Sequence, residues 1–197
     1  PERCVSTFSE NIINKFASLD GVEVIDYLYT ANGRTPVYQF IYRDTPIAFY
    51  LSRVGAPACA AGLEEVIAMG AKKILLFGSC GILNRAADDK IIIPVSAVRD
   101  EGTSYHYLEA SDEVFADAEV IERLEACFER CGHQYIKGKT WTTDAIYRET
   151  AAVIAERKET GCLCVEMECA AAMAVAKFRD IPFAQFLYGA DNLDSDS

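Results

Sequence analysis

The chain has 197 residues, of which 51% are hydrophobic and 25% charged, a composition that is typical of globular proteins and excludes a disordered or fibrous one. Its formal net charge of -11 argues against nucleic acid as a partner. No apolar run approaches the roughly 20 residues that cross a bilayer, so no membrane partner is expected. The length fits one domain with a sizeable core.

The eight cysteines are predicted to be reduced thiols, because several lie in apolar runs and no secretion signal precedes them. This usage is typical of the cytoplasm, where we expect the protein to act. Cys127, Cys131 and His133 are close in sequence, but the two cysteines are four residues apart in a helical pattern. Since no second Cys/His pair has the spacing of a zinc site, we predict no metal ion.

The first half of the chain predicts strands and helices in alternation. Ser9 is a good N-cap for a helix from Glu10 to about Leu19, and Pro57 suits the first turn of a helix that ends before Gly70. After an apolar strand we expect a glycine-bracketed turn with the sequence Gly-Ser-Cys-Gly at residues 78–81. The predicted strands are Cys4–Phe8, Val22–Tyr29, Val37–Tyr42, Ile47–Leu51 and Lys73–Phe77.

The second half continues the alternation to the last apolar run. Helices are predicted at residues 117–131, 149–159 and 168–178, and strands at 91–98, 135–141, 162–167 and 183–188. Such alternation predicts an α/β fold in which a mixed central sheet is flanked by helices on both faces. No repeat or linker divides residues 1–197, so we predict a single domain.

Four segments place polar side chains at the carboxyl ends of predicted strands, where ligands bind in α/β sheets. Each segment suits one part of a ligand: an anion on Ser79 and glycine backbone, a planar base on an aromatic turn, a sugar diol on paired carboxylates, and proton transfer by an acid. Each also has a structural explanation: a tight turn, a core aromatic, a helix start and an acidic loop. The segments are residues 78–81, 142–147, 166–168 and 189–192.

Taken together and in this order, the segments resemble the nucleoside phosphorylase family of the bacterial purine nucleoside and uridine phosphorylase type. The resemblance runs from Arg53–Pro57 through Arg99–Ser104 to Asp191, well over half of the chain. It implies a pentosyltransferase that splits a nucleoside with inorganic phosphate, giving free base and ribose 1-phosphate without a cofactor. It also implies a partly barrel-like sheet and a homo-oligomer, either a dimer or a trimer of dimers.

The resemblance assigns a role to each matching residue. Two of these residues would be catalytic: Glu168, which takes the 2′- and 3′-hydroxyls of the ribose, and Asp191, which protonates a purine ring nitrogen. The implied phosphate ligands are Gly78 and Ser79, the ribose ligands are Glu166, Met167 and Glu168, and the base ligands are Ile146, Tyr147 and Asp191.

The chain departs from the family pattern around the phosphate. Leu76 stands where many phosphorylases carry an Arg, and Thr7–Ser9 stands where the family has a Gly-Asp-Pro loop. Two other cations are candidates to replace them. Arg53 precedes the turn before Pro57, and Arg34 falls near the position of an Arg that a neighbouring subunit donates. We predict that both bind phosphate.

Three alternatives stay open beside a purine nucleoside phosphorylase. Leu76 favours a nucleosidase, in which water replaces phosphate. A uridine phosphorylase is less favoured, because Arg148–Thr150 lacks the Gln-x-Arg pair with which uridine-specific members read the pyrimidine. The third alternative is a catalytically weak nucleoside-binding protein. We also expect the chain to lack terminal segments of the full family fold, which continues past Asp191 into a helix over the base.

Overall fold

The computed structural model describes residues 1–194. Within them, ten strands form one mixed sheet and five helices of at least eight residues cover it. The helices are α1 (Glu10–Ala17), α2 (Ala56–Ala68), α3 (Ala118–Cys131), α4 (Ala151–Glu159) and α5 (Cys169–Phe178). The strands are β1 (Arg3–Thr7), β2 (Glu23–Thr30), β3 (Gly33–Tyr42), β4 (Thr45–Leu51), β5 (Lys73–Ile82), β6 (Ile91–Asp100), β7 (Glu113–Phe115), β8 (Tyr135–Thr143), β9 (Cys162–Glu166) and β10 (Phe183–Asn192).

Five of the strands close into a ring. β10 pairs with β5 on one side and β6 on the other, and the ring continues through β8 and β9 back to β5. From β5 the sheet also extends outward through β1, β4 and β3 to β2, which is an edge strand. Parallel and antiparallel pairs both occur. The predicted α/β class with a mixed, partly barrel-like sheet is therefore confirmed.

Helices cover both faces of the open part of the sheet. On β4, Phe49 turns to one face, where its ring centroid lies 6.3 Å from that of Phe16 on α1. Because side chains alternate along a strand, the next residue, Tyr50, turns to the other face. There it joins the main core cluster together with Leu63 of α2 and Met173 of α5. The helices on both faces were expected from the sequence.

Local signals set the ends of two helices, and for Ser9 the sequence predicts this. Ser9 caps α1, since its hydroxyl accepts the N–H of Ile12 at 3.4 Å. Asp117 caps α3 by accepting the N–H of Glu119 at 2.9 Å. At the other end of α3, Gly132 takes the left-handed conformation with φ 70°, which favours glycine.

The cysteines are unpaired thiols in this fold, as the sequence predicts. Six of the eight are buried, while Cys127 and Cys131 are exposed on α3. Over residues 1–194, no helix is long and apolar enough to cross a membrane.

The predicted turn at residues 78–81 is wrong, because β5 runs straight through it to Ile82. Gly78 and Ser79 pair with Leu187 and Tyr188 of β10, and the backbone N–H groups of this stretch serve the sheet. Gly78 is needed for close packing instead. A Cβ atom there would lie 2.6 Å from Cδ2 of Phe8.

The last strand also differs from the prediction. Asp191, expected in an acidic loop, lies inside β10, which extends to Asn192. The register between β10 and β5 shifts between Gly189 and Asp191, and Asp191 then pairs with Gly81. The extra residue of such a bulge re-aims the side chains that follow it.

We expect Gly78→Ala to destabilise the protein by about 1–3 kcal/mol, since the added methyl group overpacks against the Phe8 ring. Urea unfolding would measure the change. Gly102→Ala is the matched control, because its Cβ would meet nothing closer than Asp144 Oδ2 at 3.8 Å. Its free energy of unfolding should stay within about 0.5 kcal/mol of the wild type. Equal midpoints for Gly78→Ala and the wild type would contradict the packing role.

Candidate functional site

A cavity of about 310 Å³ lies at the carboxyl ends of β5, β9 and β10. Its volume is at the lower end of the range for small-molecule sites. It brings together six of the residues that the sequence singled out, although they come from four separate segments. These are Ser79, Ile146, Glu166, Met167, Glu168 and Asp191. The predicted convergence of the four segments is thus seen in the structure.

Tyr147 does not join them, so its predicted place beside the base is wrong for this cavity. Its side chain is 95% exposed. The reason is local: residues 146–148 form a short 3₁₀ helix with three residues per turn. When Ile146 faces the cavity, the next side chain must point about a third of a turn away.

Gly78 does not line the cavity either, because it is buried beneath Phe8 within β5. Its predicted role as a phosphate ligand is therefore wrong here. Leu76, two residues earlier on the same strand, is fully buried in the main core. On β5, Ser79 is exposed and lines the cavity.

Arg53 is held away from the cavity, and its predicted contact with phosphate is wrong within this chain. Its Nη2 donates to the carbonyl oxygen of Leu28 at 3.3 Å and to the Thr35 hydroxyl at 3.5 Å. Its Nη1 lies 3.9 Å from Glu65 Oε1. A half-buried guanidinium needs such partners, and those on β2, β3 and α2 draw it toward the hairpin.

Arg34 is exposed on β3 and does not line the cavity of its own chain. Its guanidinium carbon lies 4.3 Å from the ring centroid of Tyr27 on the neighbouring strand. This cation–π contact with a half-buried ring leaves the donor groups of the guanidinium open to solvent. The side chain is therefore available to a second molecule that packs against this hairpin.

Glu166 is a buried anchor beneath the cavity. Its Oε2 accepts the backbone N–H groups of Glu168 at 2.7 Å and Cys169 at 2.6 Å. Its Oε1 accepts the Thr142 hydroxyl at 2.6 Å. Both oxygens are thus used to hold the start of α5.

Thr142 completes this anchor, and sequence reasoning did not find it. Its Oγ1 accepts the N–H of Ala170 at 3.0 Å, the next free donor at the start of α5. Helix N-termini leave N–H groups without partners inside the helix, and buried ones need side-chain acceptors. The signal that the sequence offered was a threonine directly after the strand predicted at residues 135–141.

Glu168 is the carboxylate that faces the cavity from the N-cap of α5. It is 5% exposed, and its Oε1 accepts the N–H of Gly55 at 2.6 Å. Gly55 presents that N–H with φ 95°, a conformation that favours glycine. The contact links the turn before α2 to the start of α5 and fixes the carboxylate at the rim of the cavity.

The cavity is strongly acidic. Four carboxyl groups line it, and within residues 1–194 no Arg, Lys or His does. Burial and the neighbouring Glu168 raise the pKa of Glu166 to about 8. Burial also raises the pKa of Glu168 and that of Glu149, the fourth lining carboxyl beside Asp191. Such a site stabilises positive charge that develops on a ligand and disfavours an anion unless cations come from elsewhere.

Sequence reasoning missed part of the lining, namely Phe8, Val54, Glu149 and Leu193. Phe8 and Leu193 give the cavity apolar walls. Glu149 directly follows the 3₁₀ helix as its C-cap, and its side chain lines the cavity together with that of Ile146. Over the described part of the chain, no three His, Cys, Asp or Glu side chains are grouped closely enough to hold a metal ion.

The raised pKa of Glu166 predicts that stability falls as the pH rises. The folded protein keeps a proton on Glu166 that the unfolded chain loses near pH 4 to 5. The contribution of Glu166 to the free energy of unfolding is therefore fully present at low pH and is lost as the pH rises to about 8. The slope for one such group is at most about 1.4 kcal/mol per pH unit.

We expect Glu166→Gln to flatten this dependence. The amide oxygen still accepts the two backbone N–H groups, and the amide nitrogen donates to the Thr142 hydroxyl. Urea unfolding at several pH values between about 5 and 8 would compare the two proteins. Glu159→Gln, at an exposed site on α4, should keep the wild-type slope. Parallel curves for Glu166→Gln and the wild type would show that Glu166 does not titrate in this range.

Comparison with known proteins finds a matching family model, related sequences and solved structures with a similar fold. The family model described as the phosphorylase superfamily matches residues 4–197. A uridine phosphorylase of Thermococcus kodakarensis is 35% identical over 107 residues, which are 54% of this chain and 39% of that protein. A guanosine phosphorylase of Halorubrum lacusprofundi is 24% identical over 151 residues, 76% of this chain and 63% of that protein.

Among solved structures, a uridine phosphorylase of Vibrio fischeri superposes with a TM-score of 0.86 at 23% identity. The superposition covers 97% of this chain and 80% of that one, and it shows the same fold. This chain spans less than two thirds of the length of either relative compared by sequence.

Proposed function

Because the chain belongs to the phosphorylase superfamily, we propose that it is a nucleoside phosphorylase, which splits the N-glycosidic bond of a purine nucleoside with inorganic phosphate. The observation that carries the proposal is the single cavity that brings Ser79, Ile146, Glu168 and Asp191 together. The products are the free base and ribose 1-phosphate, and the reaction needs no cofactor.

Glu168 is the proposed ligand of the ribose. Its carboxylate, fixed by the N–H of Gly55, accepts hydrogen bonds from the 2′- and 3′-hydroxyls while Met167 packs beside the sugar. Breaking the glycosidic bond builds positive charge on the ribose. A fixed carboxylate stabilises that charge more in the transition state than in the ground state, which is what lowers the barrier.

Asp191 is the proposed general acid at the base. The departing purine gains negative charge, and a proton delivered to a ring nitrogen neutralises that charge. General-acid assistance of this kind contributes about 100-fold to 10,000-fold to a rate. The bulge in β10 directs Asp191 to the same cavity as Ile146, which offers an apolar surface for the base. Asp191, together with the sequence Arg148–Thr150, favours a purine; the related proteins named above act on a pyrimidine in one case and a purine in the other.

Phosphate is the substrate for which this chain alone supplies the fewest binding groups. Ser79 offers a hydroxyl, but the surrounding charge is negative. We infer that Arg34 of a neighbouring copy enters the site, because its guanidinium is exposed and Arg matches phosphate with paired hydrogen bonds. The active form is then a homo-oligomer, a dimer or a trimer of dimers, that acts in the cytosol, where its free thiols stay reduced.

The decisive experiment is a panel of nucleosides assayed with and without phosphate, with the sugar product identified. We expect guanosine, inosine or adenosine to give free base and ribose 1-phosphate only when phosphate is present, and uridine to react more slowly. Release of free ribose without phosphate would show a nucleosidase instead. Nucleoside binding with no turnover at any phosphate concentration would show a binding protein.

Arg34→Ala and Glu168→Gln should each lower turnover about 100-fold, by analogy with the loss of one transition-state hydrogen bond. Glu168→Gln keeps an acceptor for Gly55 and loses only the charge. If Arg34 acts across an interface, oligomers assembled from both variants contain some intact sites and regain part of the activity. Arg123→Ala, at an exposed position on α3, is the control and should stay fully active.

The two variants should also differ in kinetics. Arg34→Ala should raise the KM for phosphate, and Glu168→Gln should reduce kcat with the ribonucleoside. An active monomer, or mixed oligomers no more active than their parents, would argue against the shared site.

A further inference from the structure

Glu149 stands apart from Glu166 and Glu168, the two buried carboxyl groups of the cavity, because nothing in the described protein engages it. Glu166 and Glu168 are bound by backbone N–H groups, whereas no hydrogen bond or ion pair is found for the Glu149 carboxylate within residues 1–194. It is also the least exposed side chain of the 144–150 loop. A half-buried carboxylate without a partner costs free energy that a ligand with N–H groups can recover.

The position of Glu149 is tied to that of Ile146. Glu149 is the C-cap of the 3₁₀ helix that begins at Ile146, its N–H donates to the carbonyl oxygen of Ile146 at 3.3 Å, and both side chains line the cavity. Ile146 is the residue on which a base would lie flat. A carboxylate projecting beside that surface meets the edge of the base rather than its face.

The chemistry of the base edges then decides which base fits. An ionised carboxylate only accepts hydrogen bonds, and two parallel bonds to it are the strong arrangement. Guanine carries N1–H and a 2-amino group side by side, so it presents two donors. Adenine presents the lone pair of N1 beside a single amino group, and that lone pair would face the negative charge.

We propose that Glu149 is a specificity-determining residue that selects guanine nucleosides by accepting N1–H and the 2-amino group. The inference rests on the proposed function and names the substrate class of that same site. Asp191 makes the arrangement chemically consistent. The proton that it gives to the ring neutralises the departing guanine, which would otherwise be an anion repelled by the Glu149 carboxylate. The raised pKa of Glu149 fits a carboxyl group that lacks a partner until a ligand arrives.

The test compares Glu149→Gln with the wild type on guanosine, inosine, adenosine and 1-methylguanosine. Losing a paired contact to a base edge costs about tenfold to hundredfold, so kcat/KM for guanosine should fall by that factor. Inosine, with one donor, should lose less, and adenosine should gain rather than lose, because the lone pair of its N1 then faces an amide instead of a negative charge. With 1-methylguanosine, which lacks N1–H, the wild type should already be poor and the variant no worse.

Glu159→Gln is the matched control, because this glutamate lies exposed on α4 and does not line the cavity. Its base preference should equal that of the wild type. A wild type that prefers adenosine, or a Glu149→Gln protein with an unchanged guanosine to adenosine ratio, would overturn the proposal. A purely local role for Glu149 near the start of α4 would instead lower the free energy of unfolding and leave that ratio unchanged.

Calorimetric titration of guanosine and adenosine without phosphate separates this inference from the proposed function. If no nucleoside is turned over, the proposed function fails, yet the ratio of the two Kd values still tests Glu149. A guanosine Kd that rises about tenfold or more in Glu149→Gln, with an adenosine Kd that does not rise, supports the assignment. Equal changes for both nucleosides overturn it.

Discussion

The structure depends on the need to satisfy the first N–H groups of a helix that has no access to water. Residues 169–176 of α5 are all buried, so water cannot serve those donors. Glu166 and Thr142, from two neighbouring barrel strands, accept three of them. The anchor fixes where α5 begins, and this in turn sets Glu168 at the rim of the cavity. Glu168, the proposed ribose ligand, is therefore positioned by a structural carboxylate two residues before it.

This solution makes the cavity acidic, and that acidity shapes the chemistry available to it. Burial of Glu166, and after it the charge of Glu168 at the same helix end, explain the raised pKa of Glu166. Arg53, the cation just before Val54 of the cavity lining, is engaged elsewhere, by Leu28, Thr35 and Glu65. A site of this kind suits a substrate that becomes positive, and it leaves the binding of an anion to a cation from outside the chain.

Local signals in the sequence were sufficient to predict the helices and to select the four segments that meet at the cavity. They were insufficient to predict the direction in which each side chain points. Ser9, Asp117 and Gly132 act within one turn of chain, so their effects are legible without the fold. The strand through residues 78–81 depends on pairing with β10, more than 100 residues later, and glycine there was interpreted as a turn. The outward direction of Tyr147 and the partners of Arg53 likewise depend on three-dimensional neighbours. Thr142 and Glu149 carried no pattern of their own beyond their positions near a strand end and a predicted base-binding turn.

The closure of the barrel has a consequence for how the chain folds during synthesis. β5 is made early, but its parallel partner β10 emerges about a hundred residues later, and the antiparallel bond to β9 also comes late. Contacts this distant in sequence form slowly, because the intervening chain must first be ordered. Until then Ile74, Leu76 and Ile82 of β5 lack their final cover. The nascent protein therefore passes through a stage with an exposed apolar edge, in which a chaperone that shields such edges would raise the yield of folded enzyme.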